Sequence, residues 1–250
     1  MILSRIGYYN LTGLHELYAQ VGSATQIIEA SGDIKQLIPE ATPRLVKAFK
    51  NAESHRKWAE SELQWDLDNG IKPLAISSPL YPQRLAECPD APVMLYYMGN
   101  ADLNAKRIIC IIGTRHATAY GQDIIQKFTK ELQIACPDTL IVSGLAYGVD
   151  ICAHRNALAA GMETIGVLAH GLDTIYPSGH RDTAAKMVKQ GGLLTEFPIN
   201  TNADKVNFVR RNRIVAGMSD ATILVESAAH GGGLITCSMA KSYSRDVFAF

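Results

Sequence analysis

Three arginines, Arg210, Arg211 and Arg213, fall within four consecutive residues of the stretch VNFVRRNRIVAGMSDATILVE, which runs from Val206 to Glu226. Guanidinium groups at this density suit a polyanion, because each is permanently charged and grips phosphate oxygens through a planar fork. Phe208, just ahead of them, offers a face on which a base can stack, a contact worth roughly 1–3 kcal/mol per base. The stretch also carries Ile214, Val215 and Met218, placed to pack a helix onto a sheet. Burying all the arginines without partners would cost several kcal/mol each, so some are expected at a cleft rim. The competing expectation is that Phe208 is core and that the arginines pair with acids such as Asp220.

Four other stretches hold residues fit for chemistry. In IIGTRHATAYG, Gly113, Thr114 and Arg115 follow an apolar run. Glycine there lets the backbone approach a ligand, and loop amides with an arginine fork attract phosphate. The spacing is neither GxGxxG nor GxxxxGK[ST], which argues against a dinucleotide site and a P-loop ATPase. In VSGLAYGVDICAH, Ser143 and Gly144 again lie just past an apolar run. Asp150 and His154 are four apart and share a helix face, but two ligands are too few for zinc, so the pair reads as a cap beside a satisfied histidine. LAHGLDTIYPSGHR and LLTEFPINTNADKVNF carry Gly171, Asp173, Tyr176, Pro177, Glu196 and Pro198 and read as ordered loops at a cleft mouth. Glu196 is a candidate general base that nothing beside it in sequence supports. Finally, AAHGGGLITCSMAKSYSRD sets Gly231, Gly232 and Gly233 before a helix with Thr236 and Ser238 in its first turns, and amides gathered at a helix start form an anion site.

What must position these loops is a sheet. RIICII, TLIVS, TIGVLA, GLLTEF, ATILVE and VFAF are short, β-branched and almost wholly apolar, as parallel strands buried on both faces are. Helix-length segments such as GQDIIQKFTKELQIA and VDICAHRNALAAG alternate with them, which implies a doubly wound α/β sheet with ligands beyond the carboxyl ends of the strands. Ahead of it, IKPLAISSPLYPQRLAECPDAPVMLYYMGN reads as an edge strand, loops and a second strand. Residues 1–70 read as helical, with breaks at Gly13, Gly22 and Gly32 and then one longer amphipathic helix ended by Asn69 and Gly70. The expected division is therefore a small all-helical unit over 1–70 and an α/β unit over 71–250.

The 250 residues are 47% hydrophobic and 19% charged, which suits a globular protein with a sizeable core. Lysine plus arginine number 24 and aspartate plus glutamate 24, so any polyanion site must be a local patch rather than a global basic field. No apolar run approaches the roughly 20 residues of a membrane helix. The first residues do not have the pattern of a secretory signal. Cys88, Cys110, Cys136, Cys152 and Cys237 are odd in number and scattered, with no CxxC pair, so a reducing cytoplasm is expected and no metal centre.

IIGTR, SGLAYGVDICAH, TIGVLAHGLDTIYPSGH, LLTEFP, FVRRNRIVAGMSDATILVE, GGGLIT and RDVFAF stand in the order and spacing of the DNA processing protein A (DprA/Smf) family, which the chain resembles along nearly its whole length. SPLYPQRLAECPDAPVMLYYMGN resembles the family's segment ahead of the sheet. The N-terminal helices resemble its small domain of sterile-alpha-motif or helix-hairpin-helix type. The resemblance implies an extended Rossmann-like fold with no nucleotide cofactor, assembled as a homodimer. It implies a non-enzymatic protein that binds single-stranded DNA, protects incoming strands and helps load the RecA recombinase in natural transformation. Carried over by position, the DNA site comprises Gly113, Thr114, Arg115, Ser143, Gly144, Phe208, Arg210, Arg211, Asn212, Arg213, Gly231, Gly232, Gly233 and Thr236. Two departures stand out: Tyr147 occupies a position where the family often has arginine, and three glycines replace a Ser-Gly-Ser type loop. Phe208 and Tyr147 are the candidate stacking residues.

Two other functions stay open at this level. GGGLIT resembles the glycine-rich loop of nucleoside monophosphate phosphoribohydrolases. Their motif ends in a catalytic glutamate, whereas Cys237, Ser238 and Met239 follow Thr236 here and the next carboxylate is Asp246. A nucleotide-signal-binding Rossmann module is the other.

Overall fold

The computed structural model describes residues 1–6, 10–39 and 41–250. Its helices are α1 (Ile2–Ile6), α2 (Leu11–Val21), α3 (Ala24–Glu29), α4 (Pro43–Lys50), α5 (Arg56–Asp68), α6 (Gln83–Ala86), α7 (Ala119–Ala135), α8 (Val149–Ala159), α9 (Arg181–Lys189), α10 (Lys205–Gly217) and α11 (Gly232–Ser242). Its strands are β1 (Lys72–Ala75), β2 (Met94–Gly99), β3 (Arg107–Ile112), β4 (Thr139–Ser143), β5 (Thr164–Val167), β6 (Gly191–Thr195), β7 (Ala221–Leu224) and β8 (Asp246–Ala249). They form one sheet in the order β1-β2-β6-β5-β4-β3-β7-β8. β3 to β8 are parallel, and β1 and β2 add an antiparallel edge.

The apolar runs from β3 to β7 become strands because both faces are covered, whereas VFAF, expected to be buried in the same way, is the largely exposed edge strand β8. Ile108, Cys110 and Ile112 face the core that holds Ile214 and Val215 of α10 and its C-cap Met218, whereas Ile111 faces the core beneath α7 and α8. Each element between strands is a right-length crossover, so the loops after β3, β4, β5, β6 and β7 emerge at one edge of the sheet. Strand order reverses beside β3: the chain runs outward through β4, β5 and β6, then returns to lay β7 on the other side. Crevices at such a switch point are where open α/β sheets bind ligands.

The N-terminal helices have an apolar cluster of their own, including Leu14, Leu17, Ile27, Ile34 and Phe49, joined by Val93 from the sheet side. Two expectations here need correction. Gly13 does not break α2: the Asn10 side chain accepts a bond from its amide at 3.0 Å, and a Cβ at Gly13 would strike that cap. The expected long helix is two helices, because at Asn51 the backbone tightens into a three-residue turn (Ser54 N to Asn51 O, 3.0 Å) that buries Ala52. Gly22 ends α2 in the left-handed conformation. Gly70 follows the C-cap Asn69 of α5, also left-handed.

α5 meets the sheet through two buried acids one turn apart. Glu62 accepts the Ile199 amide at 2.8 Å, while Asp66 Oδ2 has no hydrogen-bond partner among the described residues. Burial, reinforced by Glu62, lifts the Asp66 carboxyl from 3.8 to about 7. A carboxyl raised on folding favours the folded state when protonated. That contribution is intact below the unfolded value and is lost as pH climbs from about 4 through 7. Asp66→Asn is therefore expected to melt higher than the unsubstituted protein at pH 8 but not at pH 4, by roughly 2–4 °C for each 1 kcal/mol restored. Equal melting curves at pH 8 would refute this.

Candidate nucleic-acid interface

The loop after β3 is held against two neighbours. Thr114 N donates to Glu226 O at 2.7 Å, and Thr114 O accepts from Val149 N at 3.1 Å. Gly148 makes the second contact possible. Its φ is +76°, and a Cβ there would sit 2.2 Å from Thr114 O, so only glycine lets the loop before α8 lie against Thr114 and Arg115. Arg115 is exposed, and its guanidinium lies 5.2 Å from the centre of the Phe208 ring. Phe208 is half-buried, 5.9 Å from the ring of Tyr176, which is half exposed. Lys205, the first residue of α10, is exposed near the same rim, a position that the sequence reading did not single out.

Two helix N-termini flank the switch point, and they differ. At α7 the Glu226 carboxylate accepts from Thr118 N (2.9 Å) and Thr118 Oγ1 (2.5 Å), so that end already faces an anion. At α11 the cap is Gly231, which contributes no side-chain bond, and a Cβ at Gly232 would meet nothing within 4 Å. The positive end of that helix dipole is open for an oxyanion. Gly233 is buried instead, with Leu224 where its side chain would go, and Thr236 is buried with its hydroxyl bonded to Gly232 O at 3.3 Å.

The arginine cluster is spent inside the fold. Arg210 binds Glu196 through Nε (3.1 Å) and Nη2 (2.8 Å), and Arg213 reaches the same carboxylate at 2.6 Å and Asp90 O at 2.5 Å. Arg211 turns the other way, under the rim, and donates to the carbonyls of Gly144 (2.5 Å) and Val167. Burial lowers its pKa, opposed by the buried Asp150. The three guanidinium groups therefore do not converge on a trough. The half-buried Asn212 accepts from Arg211 Nε at 3.2 Å. Asp220, the acid anticipated for these arginines, pairs with Arg84 at 2.6 Å. Ser143 is buried and donates to Ile111 O at 2.6 Å, and Gly144 is buried against the Arg211 guanidinium. Gly113 packs between Val149 and Glu226 O. Of the fourteen residues anticipated for the site, the rim thus presents the loop at Thr114 and Arg115, Phe208, and Gly231 with Gly232.

The remaining candidates for acid–base work have structural partners. Glu196 is a clamp for two arginines rather than a free base. His154 bonds Thr164 through Nδ1 at 2.7 Å, and burial depresses its pKa to about 3, so it is neutral. Burial likewise lowers His170, whose Nε2 accepts the Tyr176 amide at 3.2 Å. Asp173 accepts the Asn200 amide at 3.1 Å. Among the described residues no group of three His, Cys, Asp or Glu could hold a metal ion, and no helix is long and apolar enough to cross a membrane.

Removing Glu196 takes away the carboxylate shared by the buried Arg213 and the part-buried Arg210. Glu196→Ala is expected to cost about 3–5 kcal/mol in urea unfolding, the range for breaking a buried ion pair. A loss below about 1 kcal/mol would show that the cluster is solvated.

Residues 72–250 match the family model of DNA recombination-mediator protein A. DNA processing protein DprA of Bacillus subtilis is 40% identical over 218 residues, 87% of this chain and 67% of that protein. Protein Smf of Synechocystis sp. is 37% identical over 70% of this chain and 45% of its own length. Among solved structures, DNA processing protein A from Streptococcus pneumoniae superposes with a TM-score of 0.79 at 30% identity, covering 98% of this chain and 85% of that one. The protein of the same name from Helicobacter pylori, solved for its single-stranded DNA binding mode, gives 0.65 at 30% identity over 72% and 80%. The chain spans between about half and two thirds of the curated relatives named here.

Proposed function

The chain belongs to the DNA recombination-mediator protein A family, and from that premise we propose that it binds single-stranded DNA along the rim built by the loops after β3 and β7 and the start of α10. One observation carries the reading: an exposed arginine, Arg115, lies over an aromatic ring, Phe208, beside an uncapped helix N-terminus at the sheet's switch point. The parts match what a single strand offers. Arg115, Lys205 and the α11 amides suit phosphates, and the Phe208 and Tyr176 rings suit unstacked bases. A duplex hides its base faces, so this surface favours single strands. Binding without catalysis fits the carboxylates around the rim. Asp150, Asp173, Glu196 and Glu226 each already hold a backbone amide, a hydroxyl or a guanidinium.

The wider role follows the family: protection of incoming strands during natural transformation, action as a homodimer, and help in loading the RecA recombinase in the cytoplasm. Within it, residues 1–70 are read as a helical unit that braces the DNA-binding unit over 71–250. No step of this reading calls for a nucleotide cofactor.

Arg115→Ala is expected to weaken oligothymidylate binding and to lower the slope of log K against log salt by about 0.7, the share of one phosphate on a single strand. Fluorescence anisotropy over a salt series checks this, and an unchanged slope would place the strand elsewhere. Gly232→Ala, which has open space for its methyl group, is expected to keep the melting temperature while weakening the same complex by crowding the α11 amides. Undiminished affinity would remove α11 from the site.

A further inference from the structure

Tyr147 is the one large aromatic of the loop between β4 and α8, and it is 54% exposed. Its ring is not loose. It stands edge-on to the buried His180, with centroids 4.9 Å apart and planes at 71°, and His180 is fixed in turn by a 2.9 Å contact from Nδ1 to Leu145 O. The backbone on either side is set as well: Leu145 has φ of +59°, and Gly148, next to Tyr147, lies against the Arg115 backbone. The loop from Tyr176 to His180 joins this pair to the Tyr176–Phe208 pair, and Phe208 leads back to Arg115. The aromatic contacts therefore run around the rim from Arg115 to Tyr147 instead of ending at Phe208.

About half of Tyr147 stays in water, and its ring makes one T-shaped contact, with His180. Among the described residues its hydroxyl makes no hydrogen bond. A pre-ordered ring gives a base a stacking surface with little rotamer entropy left to lose. Because the arginine cluster is committed to Glu196 and to backbone carbonyls, it adds little charge to the rim, and base contacts carry a larger share of the binding.

We propose that Tyr147, held by His180, is a base-stacking residue that extends the binding track beyond Phe208, so that the protein distinguishes strands with bases from bare sugar-phosphate. This rests on the reading of the rim as a single-strand site. It adds that the ligand is recognised through base faces at the β4–α8 loop, by a contact independent of salt.

The test compares oligothymidylate with an abasic oligomer of equal length and charge, by anisotropy, for the full chain and for Tyr147→Ala and Tyr147→Phe. The unsubstituted protein is expected to prefer the thymidine strand. Tyr147→Ala is expected to lose about 5- to 150-fold on that strand, with the salt slope unchanged and affinity for the abasic strand intact. Tyr147→Phe should retain the preference, since the face and not the hydroxyl is used. Tyr147→Ala losing equally on both strands, or on neither, overturns this inference and leaves the rim reading standing. Failure of the unsubstituted protein to bind either oligomer overturns both.

Discussion

A buried guanidinium must be matched by acceptors or the fold does not close, and α10 carries two that are buried, Arg211 and Arg213, with the part-buried Arg210 beside them. Arg213 and Arg210 meet on the single carboxylate of Glu196, at the end of β6, and Arg211 caps the carbonyl ends of β4 and β5. These bonds join α10 to three strand ends at once. The positions of the loops that follow β4, β5 and β6 derive from that anchoring, and so does the placement of Phe208 one helical turn earlier on α10.

The consequence is a division of labour among similar side chains. Arginines that look interchangeable in sequence are structural when a carboxylate or carbonyl faces them, whereas Arg115 is exposed, with its guanidinium over the Phe208 ring. The rim is therefore modestly charged and comparatively rich in aromatic surface. That balance suits a strand held by stacking with a few phosphate contacts, in keeping with a chain that carries no net charge.

The sheet was legible in the sequence because strands buried on both faces must be continuously apolar, and RIICII or TLIVS admit little else. The rim loops were legible for the same reason, since parallel topology puts every strand's end on one edge. What each arginine touches was not legible. Helical spacing says which face a residue occupies but not what stands opposite, and Glu196 lies 14 and 17 residues before its partners while Asp90 lies 123 before Arg213. Ser143, Gly144 and Thr236 match a family pattern, yet they serve packing beneath the surface: a buried hydroxyl and a surface hydroxyl look alike in one sequence. Tyr147 and His180 meet only through tertiary structure, and no local pattern links residues 33 apart. The long helix expected before Asn69 failed at Asn51 because a tight turn there buries Ala52, a gain that amphipathic periodicity does not register.

The central claim is that α10 holds the scaffold with its arginines and offers the ligand its first turn. A crystal structure with a short oligothymidylate tests it most directly. The account predicts phosphate density at Arg115 and at the amides of α11, with Arg210 and Arg213 still on Glu196. Either of those two arginines leaving Glu196 to bind a phosphate would contradict it.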